Sequence, residues 1–181
     1  MDKKNQKQIA DLASTDDKVR LDALQGLLKV TDSKVDWVYE AWDHLVEKLD
    51  SENSFQRSIG IMLLCNLAKS DSDDRLKTIL ERLLSHTKDE KFITSRQCIQ
   101  HIWKAAATTK PNRGKVLKHL EKRFVECAAE KHSNLLRQDI IQSMAALSKH
   151  EKDDGLIQKA QVLIASEPDA KNRKKYEALL K

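Results

Sequence analysis

The chain has 181 residues, enough for one compact domain or one short repeat array. With 4 Gly, 2 Pro and 4% aromatic residues it lacks the turn formers and pleat-filling side chains of a β protein, which excludes a sheet-based fold. The net charge of +5 is unevenly spread: residues 1–90 carry 14 Lys+Arg against 18 Asp+Glu, residues 91–181 carry 19 against 10, and the second half therefore favours an anionic partner.

In chain order, the apolar spacing predicts about ten helices. The N-terminus, MDKKNQKQIADLAS, is polar and has no apolar stretch of the signal-peptide kind. The next segment, DDKVRLDALQGLLKV, reads as a helix capped by Asp16. Val35, Val38, Trp42, Leu45, Val46 and Leu49 then keep to one helical face. The run Ile59–Ala68, IGIMLLCNLA, is continuously apolar and so predicts a helix buried on most sides, capped by Asn53. Leu76, Ile79, Leu80, Leu83 and Leu84 return to amphipathic spacing, and KFITSRQCIQHIWKAA follows as a second helix. Pro111 sits in the first turn of a helix whose face is Val116, Leu117, Leu120, Phe124 and Cys127. Ser133 heads SNLLRQDIIQSMAALS as its expected cap. Leu156, Ile157, Ala160, Leu163 and Ile164 mark another amphipathic helix, and Asp169 caps the last, DAKNRKKYEALLK. Connections of a few residues fold neighbouring helices back antiparallel, and with no linker-like segment the expectation is a single domain over 1–181.

The second helix of each pair carries an arginine at the same place. Arg20, Arg57, Arg96, Arg137 and Arg173 are separated by 37, 39, 41 and 36 residues, and all but the third have Asp, Asn or Ser four positions earlier. A two-helix unit with a period near forty is the signature of HEAT and armadillo arrays. The stretch Val19-Arg20-x-x-Ala23-Leu24-x-x-Leu27 resembles the second helix of a HEAT repeat, and the other units match it more loosely. The resemblance covers nearly the whole chain. It implies an all-α, right-handed α-α superhelix of about five HEAT-like hairpins, in which second helices line a concave surface that binds a partner.

On a helical wheel the positions three, four and seven after each arginine fall within about 60° of it. They are Ala23, Leu24 and Leu27, then Gly60, Ile61 and Leu64, so the guanidinium sits in the apolar face. A charge there must be paired, and arginine's long stem and forked head suit helix-end carbonyls or a neighbouring aspartate. The five arginines are therefore read as structural. The same wheel points the positions one, two, five and nine after the arginine outward, which selects Ile59, Met62, Cys98, His101 and Gln142 as partner contacts. That face is mixed with an apolar centre and suits a protein or peptide.

Lys115, Lys118 and Lys122 share a face within KPNRGKVLKHLEKR and form a candidate anion footprint, the basis of an alternative nucleic-acid reading. The alkylpurine DNA glycosylases also have HEAT-like architecture, and the resemblance implies tryptophans, an aspartate and an arginine in a basic cleft. Trp37, Trp42 beside Asp43, and Trp103 do not match that site: Trp42 and Trp103 fall on core positions, and the outward positions hold Asp22 and Asp139 but no aromatic ring. No catalytic residue is carried over. Cys98 with His101 and Cys127 with His132 are isolated ligand pairs, too few for zinc, and no glycine-rich phosphate loop occurs, so no metal or cofactor is expected. No membrane span is expected. Cys65, Cys98 and Cys127 lie in apolar helical stretches, as in a cytoplasmic, reducing setting.

Overall fold

A computed structural model describes residues 1–180, which are helical with no strand among them. The helices are α1 (Lys3–Asp11), α2 (Asp17–Val30), α3 (Val38–Glu47), α4 (Ser54–Leu67), α5 (Leu76–Ser85), α6 (Phe92–His101), α7 (Trp103–Ala106), α8 (Lys110–Glu126), α9 (Ser133–Glu151), α10 (Asp154–Ala165) and α11 (Ala170–Ala178). Only Ile102 interrupts α6 and α7, and it keeps right-handed helical angles, so the two are one second helix with a break. The chain divides into two compact units, Met1–Cys98 and the residues from Ile99 onward.

Within the first unit α1–α2, α3–α4 and α5–α6 are successive helical hairpins. Helix α4 is its centre: every residue from Arg57 to Leu67 is buried, because α4 packs on its own partner α3 and on the preceding second helix α2, and is bonded to α6. Gly60 allows this. A Cβ there would lie 2.9 Å from the Leu45 carbonyl oxygen and 3.1 Å from Lys48 Cβ, so only glycine lets α4 approach α3 this closely. Polar groups join residues about one repeat apart. Asn66 donates to the Leu28 carbonyl and to Thr31, Gln56 donates to the Leu12 carbonyl, and Arg82 spans to Asp50 and the Val46 carbonyl. These bonds fix the register of stacked hairpins, which apolar contacts alone leave free to slide.

The second unit repeats the scheme. Helix α9 packs on α8, α10 and α11. Its core is Phe124, Ile140, Ile141, Met144 and Tyr176, with the Phe124 and Tyr176 rings edge to face at 6.4 Å. Tyr176 donates to the Asn134 carbonyl, Gln100 to the buried Asp139 carboxylate, and Lys159 to Glu121, again at offsets of one repeat.

The caps follow the sequence reading at three of four positions. Asp16, Asn53 and Asp169 accept first-turn amides. Ser133 does not: it is the first helical residue, and the residue before it, His132, enters α9 with a left-handed backbone (φ 62°) and no side-chain cap. Pro111 occupies the first turn of α8.

Candidate interaction surface

The five arginines differ in what they hold. Arg57 is the most fully engaged: Nε and Nη2 donate to both Asp89 oxygens at 2.7 and 2.8 Å, and Nη1 to the carbonyls of Ser51 and Glu52. Burial alone would raise the Asp89 carboxyl. The Arg57 guanidinium, the Lys91 amide and the His86 ring outweigh it and hold the carboxyl below its ordinary value. The same bond raises Arg57 further. In the second unit Arg137 donates to the Phe124 carbonyl and to the buried Glu167 carboxylate at 2.7 Å. Arg20 and Arg173 close their own hairpins, donating to the Ser14 and Glu167 carbonyls, each six residues earlier. Arg96 is half-buried with its guanidinium 5.8 Å from the Phe92 ring centre.

The proposed outward face is only partly at the surface. Ile59 is 3% exposed, Met62 9% and Cys98 0%, so these three are core residues and cannot be partner contacts. A wheel with one core face fails for α4 because neighbours cover it on all sides, as its unbroken apolar run implies. Cys98 donates its thiol to the Leu83 carbonyl, and burial pushes its pKa well above that of a free thiol. His101 is half-buried and Gln142 exposed. Lys115, Lys118 and Lys122 are exposed on α8, with Lys122 3.5 Å from Glu126. Trp42 is buried as expected, whereas Trp103 is only half-buried, its ring 5.8 Å from that of His150.

What the wheel missed lies at the helix starts. A groove of about 330 Å³ runs between the first turns of α4 and α6, lined by Ser54, Phe55 and Ser58 on one side and residues 90–94 on the other. Phe55 and Ile93 are 63% and 61% exposed beside it. The Arg20 guanidinium lies 5.3 Å from the Phe55 ring centre, close enough for a cation–π contact. Beneath the groove, Ser58 and Thr94 share a 3.0 Å hydroxyl bond and Thr94 also donates to the Ser54 carbonyl. Arg57 and Asp89 tie the two helix starts together. The floor is therefore fixed, and only the rim side chains are free to adjust. Large apolar residues in the first turn, where the wheel registers only a helix beginning, were the available signal.

Solved engineered and designed proteins match this chain over nearly its whole length. One engineered protein aligns with 99% of the chain and 78% of its own length at a TM-score of 0.60 and 15% identity. A designed armadillo repeat protein aligns with 96% of the chain and 79% of its own length at a TM-score of 0.53 and 15% identity. The fold is an armadillo/HEAT-like helical repeat. A second engineered protein gives the same result, at 0.58 and 16% identity over 99% of the chain and 80% of its own length. At these identities the likeness is one of fold. No protein-family model matches the sequence, and no curated protein matches it. No helix among the described residues is long and apolar enough to cross a membrane.

Proposed function

We propose that this chain is a non-catalytic interaction module that binds a protein partner through the groove between the first turns of α4 and α6. The observation that carries this reading is the pair Phe55 and Ile93, exposed on either side of a groove whose floor is held by the Ser58–Thr94 and Arg57–Asp89 contacts. Large apolar side chains held in water over a rigid base mark a recognition surface. Rigid helices limit the ordering entropy lost on association, so a short segment is enough to bind. The occupant is a peptide segment with one apolar anchor. The net charge of −4 over residues 1–90 favours a basic residue next to that anchor.

The test is selection of short peptides from a display library on the purified chain. Basic-apolar sequences should be enriched, and Phe55→Asp with Ile93→Asp should weaken their binding at least about tenfold at unchanged melting temperature. Equal binding by the folded double variant overturns the groove as the site.

A further inference from the structure

The last helix presents a second surface that the partner groove does not use. On α11, Lys171, Lys174 and Lys175 line a shallow depression of about 540 Å³ together with Ala170 and Ala178. All five are exposed. At 100° per residue they fall within an arc of about 140°, opposite the side on which Tyr176 enters the core. None of the three lysines makes an ion pair among the described residues. Of the carboxylates nearby, Glu167 is buried on Arg137 and Asp169 caps the Asn172 amide, while Glu177 is exposed on α11 just outside the edge of the lysine arc. The remaining cation on the helix, Arg173, is turned to the Glu167 and Pro168 carbonyls. This sets α11 apart from α8, where Glu126 faces Lys122.

We propose that this face of α11 binds the phosphate backbone of a nucleic-acid duplex. Ala170 and Ala178 flank the lysines with short side chains, so the phosphate backbone can approach the ammonium groups. Successive lysines are separated along the axis by at most about 5 Å, so one strand's phosphates meet them in turn. The lining holds no aromatic ring, so single-stranded bases find no stacking platform. It also lacks the Trp, Phe or Leu side chains with which a surface helix enters a bilayer. Binding is electrostatic and indifferent to sequence.

The experiment is fluorescence anisotropy of the whole chain on a labelled 20-base-pair DNA duplex across a salt series. Three phosphate contacts give a log–log slope of about −2.7, a loss of about 40-fold between 50 and 200 mM salt. Lys171→Gln with Lys174→Gln and Lys175→Gln should abolish that dependence with helicity unchanged, and the corresponding triple Lys→Arg variant should restore it. The proposal is overturned if the duplex does not bind at 20 mM salt, or if the glutamine variant binds as the parent does. It is equally overturned if a Lys115→Gln, Lys118→Gln, Lys122→Gln variant carries the whole loss. Binding to vesicles of 30% phosphatidylserine without binding to the duplex also overturns it.

Discussion

Helices α4 and α11 occupy equivalent places in their repeats and meet opposite fates. Each follows an Asn or Asp cap, Asn53 or Asp169, set four residues before its arginine. Each arginine donates to the carbonyl six residues back, Arg57 to Ser51 and Arg173 to Glu167. Yet α4 is buried from Arg57 to Leu67, and α11 buries only Tyr176. The cap and the arginine set the local hairpin. Whether the helix beyond it is core or surface depends on how many neighbours it meets, and the composition of each helix matches that: ten further residues without a charge in α4, lysines and alanines in α11.

The contrast makes graded predictions. Replacing Arg57 by Ala leaves the buried Asp89 carboxylate with only the Lys91 amide and the His86 ring, and should cost about 3–5 kcal/mol in urea unfolding. The matching Arg173→Ala change removes bonds to the Glu167 and Pro168 carbonyls and strands no buried carboxylate, so it should cost about 1 kcal/mol. Equal costs would show that the arginine acts through the hairpin alone. Gly60→Ala should cost about 1–3 kcal/mol, since α4 must move off the Leu45 carbonyl.

The third test uses acid. The Asp89 carboxyl has a folded pKa below its unfolded one, so its contribution is complete above the unfolded value, near 4, and is lost as pH falls through the folded value. Unfolding by urea at pH 7, 4 and 3 should show that loss in the parent and less of it in Asp89→Asn. A parent whose stability is flat below pH 4 would contradict the pairing. The smallest effect is expected at Gly114, on the exposed side of α8 with nothing near a Cβ. Gly114→Ala should stabilise by about 0.5–1 kcal/mol, the reverse of Gly60→Ala, as read by melting temperature.

Much of this was legible in the residues. The repeat arginines announced the two-helix period, and the apolar run from Ile59 to Ala68 announced a helix buried on most sides. The error came from applying a one-sided wheel to that same helix, which turned Ile59 and Met62 outward. Cys98 was misplaced as well, since that side of α6 meets α5, where the thiol donates to the Leu83 carbonyl. Asp89 could not be singled out because it lies in a turn, where no periodicity marks a partner. Phe55 and Ile93 were invisible for a different reason. An apolar residue in a first turn looks like the start of a core face, and only the position of the neighbouring helix shows that it stays in water. The lysines of α11 were passed over for the denser run in α8, because spacing along the sequence does not show which lysines face carboxylates.

The most direct measurement follows the isoleucine methyl signals of the chain by NMR while a selected basic-apolar peptide is titrated in. The partner-groove account predicts that the Ile93 methyl shifts first and most, while the buried Ile59 methyls stay in place. A response centred on Ile59, or at Ile140 and Ile141 in the second unit with Ile93 unmoved, would contradict it.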